Sequence, residues 1–388
     1  MANVIPLALA QQRHVQGEEN CRVIAVENVP ERSSKARSAL KDLGTTIYNQ
    51  LQRGQFPELR IPSRQTNNIF YDSRLEQYVL GERKIVRSAD NVKHVKPLAQ
   101  LMWVARIGKE LIDYDRVSTL RDLFYMSKNI DINFATQQES DEAVYDLEAL
   151  LSMPRESFNI FPHDRGAIFG DLTVRYRVKG FKDSLISLTD NPDGVNIGPA
   201  LDNAELVKTS ADKVIAIEKG AIFIQMIREK VHEKFNAILI DTTGQASRSA
   251  RLLIRRLNEE MGLPVYVLTD CDVWGAHISM VIISGSVNSA HITGLNTPSA
   301  KWMGFWPTDL TKYKVPTMKM KELDWKRLNE LKADPRYKEK FWREQLDAFE
   351  RLGLKAELEA FSSRNRSVSQ TFLVETYMPQ KLRELGAI

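Results

Sequence analysis

The chain has 388 residues, enough for two or three domains with real cores, and it is 43% hydrophobic and 27% charged with a net charge of only +4, so bulk charge does not by itself mark a polyanion binder. Two cysteines far apart, Cys21 and Cys271, exclude a disulfide framework and a zinc spacing and fit a reducing compartment. The apolar run over 5–10 has no basic flank, and no run approaches the roughly 20 residues of a membrane helix, which predicts an intracellular, cytoplasmic protein.

In chain order, residues 1 to about 35 are polar and unpatterned and predict a flexible arm, followed by a helix over 39–51 and the turn residues Gly54 and Pro57. The proline-flanked Leu59-Arg-Ile61 comes next, and 68–71 with 77–80 predict a hairpin around Asp72 and Ser73. Pro97 is expected to open a helix, because Leu98, Leu101, Met102, Ala105, Leu111 and Ile112 recur at three and four residues. Thr119 and Asp122 make a Thr-x-x-Asp relative of the capping box, starting a second helix with Leu120, Leu123 and Phe124 inward. A third begins near Ser140, with Val144, Leu147, Leu150 and Leu151 on one side. Three helices with flanking strands and a basic surface resemble a CAP-like winged helix-turn-helix, expected over 66–160 after an arm and helix over 1–65.

After Gly166 and Gly170 the pattern changes. Strands are expected over 214–217, 237–240 and 265–268, ending at Glu218, Asp241 and Asp270, with helices over 221–231 and 248–261 between them. That alternation implies a parallel sheet with right-handed crossovers, a Rossmann-like α/β domain over 161–388. Its charged tail, 319–358, predicts helices broken at Asp334-Pro335. Trp325, Leu328 and Leu331 share one face there, and Trp342, Leu346, Phe349 and Leu352 another.

Charge is unevenly spread. From Glu82 to Lys128 ten bases face six acids, a surplus equal to that of the whole chain and suited to a polyanion, although a solvated basic face has the same look. Within it Arg121, Tyr125 and Lys128 are spaced to share one helix face. A phenol with a pKa of about 10 is a poor nucleophile at neutral pH. Two cations beside it would stabilise both the phenolate and the charge on a phosphorus under attack. The plainer alternative is a half-buried structural tyrosine.

Glu218, Asp270 and Asp272 stand at the carboxyl ends of predicted strands, where open α/β sheets bind their ligands. Three anions there repel one another unless a divalent cation holds them, and hard oxygen ligands favour Mg²⁺. Otherwise they are solvated, or cap the next helix. Thr243-Gly244-Gln245 leads into a helix carrying Arg248 and Arg251, which is either a phosphate seat or an ordinary turn with solvated arginines. No Walker A, GxGxxG or HExxH pattern occurs, so nothing predicts ATP binding by this chain.

These residues resemble a known family. Leu120-Arg-Asp-Leu-Phe-Tyr125 is similar to the catalytic-tyrosine motif of the topoisomerase VI A subunit, shared with its meiotic double-strand-break relatives. Ala216-Ile-Glu218-Lys and Thr269-Asp270-Cys-Asp272 are similar to the glutamate and DxD of a Toprim domain. Arg165-Gly-Ala-Ile-Phe-Gly170, Leu257-Asn-Glu-Glu-Met-Gly-Leu-Pro-Val-Tyr-Val-Leu-Thr269 and Asp309-Leu-Thr-Lys-Tyr313 follow the family in order and spacing, so the likeness covers roughly residues 60 to 388. Two loops depart from the family pattern. Thr242-Thr-Gly-Gln-Ala-Ser-Arg-Ser-Ala-Arg251 replaces Gly-x-Gly-Gln-Pro-Asp-x-Ala-Thr-Arg, and Asp270-Cys-Asp-Val-Trp-Gly275 replaces Asp-Ala-Asp-Pro-Tyr-Gly.

The resemblance implies the DNA-cleaving subunit of a type IIB topoisomerase. Tyr125 would attack the backbone with help from Arg121 and Glu218, leaving a 5′-phosphotyrosyl double-strand break. Glu218, Asp270 and Asp272 would hold Mg²⁺, with Lys128, Gln245, Arg248 and Arg251 on the DNA. It further implies a homodimer on double-stranded DNA, a separate ATPase B subunit that docks on the N-terminal region in an A2B2 heterotetramer, and work on the cytoplasmic nucleoid. Three other readings use some of these residues: a meiotic-type transesterase that does not reseal, a haloacid-dehalogenase-like phosphatase using Asp270 and Asp272, and a non-catalytic winged-helix DNA binder. The phosphatase fold carries its DxD on the first core strand, whereas two β-α units precede it here.

Overall fold

The computed structural model describes residues 29–388 apart from 163–165, 179–180, 182 and 365–371. Cys21, Arg165 and residues 1–28 of the expected arm lie outside the described residues. From Val29 onward the arm is helix, α1 (Val29–Gln52), which begins ten residues before the expected start. Ala36, Leu40 and Leu43 bury one of its faces, and even Arg32 is 7% exposed, donating to Asn203 Oδ1 at 3.1 Å. Burial on a distant surface outweighs a polar local sequence.

Two antiparallel pairs follow: β1 (Glu58–Pro62) with β4 (Lys84–Ser88), and the expected hairpin, β2 (Ile69–Asp72) with β3 (Gln77–Leu80). Then α2 (Val92–Asp113) starts five residues ahead of Pro97. The Asn91 side chain accepts from Lys93 N and so caps the helix there, which leaves the proline inside its second turn. A short strand, β5 (Ser118–Thr119), leads into α3 (Leu120–Met126), and a complete Thr119–Asp122 capping box fixes that helix start. Finally α4 (Gln137–Leu151) precedes β6 (Ile160–Phe161), which pairs in parallel with β5. Leu101, Val104, Leu123, Val144, Leu147 and Phe158 close one core that also takes in the apolar face of α1.

The second body is built on a six-stranded sheet. In chain order its strands are β7 (Ala167–Phe169), β10 (Val195–Asn196), β12 (Lys213–Ile217), β13 (Ala237–Asp241), β14 (Val265–Leu268) and β15 (Lys301–Gly304), arranged β10-β7-β13-β12-β14-β15. The last four in that row are mutually parallel, and β7 is antiparallel to β13. A small sheet of β8 (Leu172–Arg175), β9 (Leu185–Ser187) and β11 (Glu205–Thr209) flanks it.

Strand period two explains the two layers: Val214, Ala216, Ile238 and Ile240 enter one core, whereas Ile215, Ile217 and Leu239 enter the other. Leu253, Ile254 and Leu257 of α6 (Arg248–Glu260) cover the first face. The second is covered by α5 (Gly220–Arg228), α7 (Val273–Ser284), α8 (Glu322–Ala333) and α9 (Lys340–Leu352). Trp342 of α9 stacks on Trp302 at 5.2 Å, while Trp325, expected on the same face as Leu328 and Leu331, remains 37% exposed. Beyond α9, β17 (Leu354–Lys355) pairs with β16 (Met318–Lys319) and carries the chain back across the sheet's carboxyl edge. Among the described residues no helix is long and apolar enough to cross a membrane.

Candidate active site: strand-end carboxylates and an exposed tyrosine

Central strands β12 and β14 are neighbours, so the residues that follow them meet at one edge. Glu218 N donates to Leu268 O at 3.0 Å, and the Glu218 carboxylate (Oε2) accepts from Asp270 N at 2.9 Å. Asp270 is 6% exposed, and both of its oxygens are engaged. Leu358 N donates to Oδ1 at 2.8 Å, and Lys219 Nζ pairs with Oδ2 at 2.9 Å. Asp272 is the N-cap of α7, where its Oδ1 accepts from Gly275 N at 2.7 Å. Capping and a place in the carboxylate edge coexist in this residue.

Burial pushes the Glu218 carboxyl up to about 7, the Asp270 charge adds to the rise, and the Asp270 N–H opposes it. Burial also lifts Asp270 to about 6 against the pull of Leu358 N–H and Lys219. Asp272 is raised by burial as well, against the Gly275 N–H. Ionised carboxylates are disfavoured here unless a cation joins them.

Among the described residues no three Asp, Glu, His or Cys side chains form a ready-made metal cage. Mg²⁺ does not require one, because it keeps several waters and takes one or two carboxylates plus phosphate oxygens. Glu218 and Asp270 suit that role, and the Lys219 ammonium already drawn onto Asp270 marks the spot as cation-seeking. Sequence reasoning missed Lys219 itself, together with Glu357 and Glu359, which accept from its Nζ at 3.3 and 2.8 Å. A lysine directly after Glu218 was a visible signal. The return of 356–358 over the DxD turn was not, for it rests on a two-way backbone pairing of Cys271 with Ala356.

Tyr125 lies on the other body, on α3, and is 53% exposed. Arg121 Nη2 donates to its hydroxyl at 3.4 Å, with the guanidinium 5.7 Å from the ring centroid. Lys128 departs from the expected shared face. Because α3 ends at Met126, the following turn swings Nζ over the Phe124 ring at 4.1 Å, where it donates to Phe134 O. Several bases of the basic stripe are likewise paired: Arg87 with Asp146, Arg106 with Glu110 and Lys109 with Asp113.

The expected phosphate seat splits. Gln245 is exposed beside Gly244, whose φ of +77° suits glycine. Arg248, with 10% of its side chain exposed, and the buried Arg251 instead turn inward near the junction of the two bodies. Arg248 Nη2 donates to Glu148 Oε1 at 2.8 Å, and Arg251 Nη2 donates to Ser289 Oγ at 3.2 Å. Glu148 is fully buried and also meets His291 Nε2 at 3.0 Å. Burial alone would raise Glu148, but Arg248, His291 and Arg155 pull it down to about 2. Arg248 ties the two bodies together through Glu148, whereas the Arg251 bond to Ser289 stays within the second body, so the two side chains turn inward for different reasons.

A parallel sheet with a glutamate after one strand and an Asp-x-Asp turn after its neighbour defines a protein of the Toprim class. The family model for the Toprim domain of the topoisomerase 6 A-subunit/Spo11 proteins matches residues 213–382, and one described as type IIB DNA topoisomerase matches 96–160. The type 2 DNA topoisomerase 6 A subunit of Methanothermobacter thermautotrophicus is 40% identical over 349 residues, 89% of this chain and 97% of that protein. The corresponding protein of Archaeoglobus fulgidus is 37% identical over 354 residues, 90% of this chain and 97% of its own. That of Methanosarcina mazei is 35% identical over 358 residues, 91% and 96% of the two chains. The chain belongs to the topoisomerase 6 A-subunit/Spo11 family of type IIB DNA topoisomerases.

Proposed function

We propose that this chain is the DNA-cleaving A subunit of a type IIB topoisomerase, with Tyr125 as nucleophile and the Glu218–Asp270 edge as the seat of Mg²⁺. The observation that carries the reading is the approach of Glu218 Oε2 to Asp270 N, 2.9 Å, on a chain whose other body exposes Tyr125 under Arg121. The N-terminal body acts as a winged helix that brings the tyrosine to double-stranded DNA. Tyr125 Oη gives up its proton and bonds to the phosphorus. The P–O3′ bond breaks, the 3′ oxygen takes up a proton, and a 5′-phosphotyrosyl link conserves the ester for resealing.

Arg121 stabilises the phenolate and the charge that builds on the phosphate. Glu218 and Asp270, with Asp272 beside them, would hold Mg²⁺, which supplies a Lewis acid for the phosphate and leaving oxygens. Lys128 and the exposed Gln245 are available to orient the DNA backbone, with Lys128 needing to leave its Phe134 carbonyl. The working assembly is a dimer of this chain with a separate ATPase B subunit, A2B2, on the cytoplasmic nucleoid. In a reconstituted assembly, Tyr125→Phe should keep DNA binding and lose every covalent protein–DNA adduct trapped by denaturant. Adducts that persist in Tyr125→Phe would move the nucleophile elsewhere.

A further inference from the structure

Lys219 stands where something must neutralise Asp270 before a divalent ion arrives. Its Nζ lies 2.9 Å from Asp270 Oδ2, 2.8 Å from Glu359 Oε2 and 3.3 Å from Glu357 Oε2. The two glutamates are half-exposed, whereas Asp270 is buried. Their segment is fixed over the DxD turn by Cys271 N to Ala356 O, 2.8 Å, by Ala356 N to Cys271 O, 3.0 Å, and by Leu358 N to Asp270 Oδ1. One short stretch therefore satisfies one oxygen of Asp270 and also tethers the lysine that satisfies the other. A divalent ion on Asp270 would repel an ammonium bonded to the same carboxylate, and two glutamates already stand within bonding distance to receive it.

We propose that Lys219 is a built-in counter-ion of the metal site, displaced from Asp270 onto Glu357 and Glu359 when the divalent cation binds, so that the 356–359 segment sets how tightly the metal is held. This rests on the assignment of Asp270 as a metal ligand. Mn²⁺, which takes the same oxygen ligands, is the probe, and loss of its free-ion EPR signal gives occupancy without any DNA or turnover.

Lys219→Gln removes the competitor and should bind Mn²⁺ at least about tenfold more tightly than the unaltered chain. Glu359→Gln takes away one receiving carboxylate and should bind it several-fold more weakly, and Lys219→Gln/Glu359→Gln should behave like Lys219→Gln alone. Lys219→Arg keeps the charge and should stay close to the unaltered chain. A lysine that merely props up the fold would not yield opposite signs at Lys219 and Glu359. Affinity unchanged or weakened in a folded Lys219→Gln would overturn the counter-ion role, and so would a Glu359→Gln that binds as before. Mn²⁺ uptake indifferent to Asp270→Asn would instead remove the metal assignment beneath it, and the counter-ion with it.

Discussion

Arg121 and Tyr125 are one turn apart on a helix of only seven residues, so its capping box is as much a part of the tyrosine's placement as the arginine is. Thr119→Ala should cost about 1 kcal/mol of stability through the lost cap. It should also lower adduct yield more than that stability loss alone explains, because the helix start sets where Tyr125 projects. Unchanged adduct yield at equal stability loss would separate the cap from the chemistry. Arg248 is a different kind of residue, since its partner Glu148 has no exposed surface. Removing Arg248 takes one partner from a buried charge that keeps His291 and the Arg155 N–H, so Arg248→Met should cost about 1.5–3 kcal/mol in urea unfolding. A loss under about 1 kcal/mol, with a shallower salt dependence of DNA binding, would return Arg248 to the DNA.

At the scale of elements, the meeting of strand and helix decides the acid geometry. A Cβ on Gly275 would stand 2.3 Å from the Asp270 carbonyl and 2.8 Å from Thr269 Oγ1. Gly275→Ala must therefore push α7 off the end of β14, costing about 1–3 kcal/mol and displacing Asp272 from its cap. Metal uptake should fall in a protein that still melts cooperatively, and full uptake would show that Asp272 is dispensable.

The β12, β13 and β14 strands were legible because each holds an unbroken apolar run, 214–217, 237–240 and 265–268, with a polar residue directly after it, the mark of a strand covered on both faces. The placement of Glu218 and Asp270 just beyond two neighbouring strands was legible for the same reason. Arg248 and Arg251 were not, because arginines in a first helical turn look alike whether a phosphate or an internal partner, Glu148 for one and Ser289 for the other, faces them. Lys128 was misplaced by assuming that α3 continued past Met126. The start of α1 and the return of 356–359 depend on surfaces distant in sequence, and no local pattern carries them.

Across the whole molecule the two bodies are joined at several points. Arg32 reaches Asn203, Arg248 and His291 close on Glu148, Ser284 Oγ donates to Glu76 O at 2.5 Å, and Arg336 lies 4.8 Å from the Tyr78 ring centroid. Asp202, below this junction, is buried and accepts from Ser249 Oγ at 2.6 Å; burial pushes its carboxyl up to about 7. The folded chain thus keeps a proton that the unfolded chain releases near pH 4. Its contribution to stability is full below that pH and lost as pH rises through about 7. Asp202→Asn should flatten the fall in melting temperature between about pH 4 and 7, by about the part this one group contributes. An unchanged slope would mean that Asp202 is ionised in the fold.

The same architecture separates the chemistry. Tyr125 rides on α3, which packs on α4 and β5, while the carboxylates end β12 and β14 of the other body. In the proposed dimer, the tyrosine of one protomer would meet the acids of its partner and complete the site across the pair. Mixing Tyr125→Phe protomers with Glu218→Gln protomers, in the presence of the proposed ATPase subunit, tests this most directly. Each mixed dimer would then hold one site with both defects and one with neither, so single-strand nicking should reappear although neither variant cuts alone. A mixture as inactive as its components, with heterodimers shown to be present, would contradict the composite site.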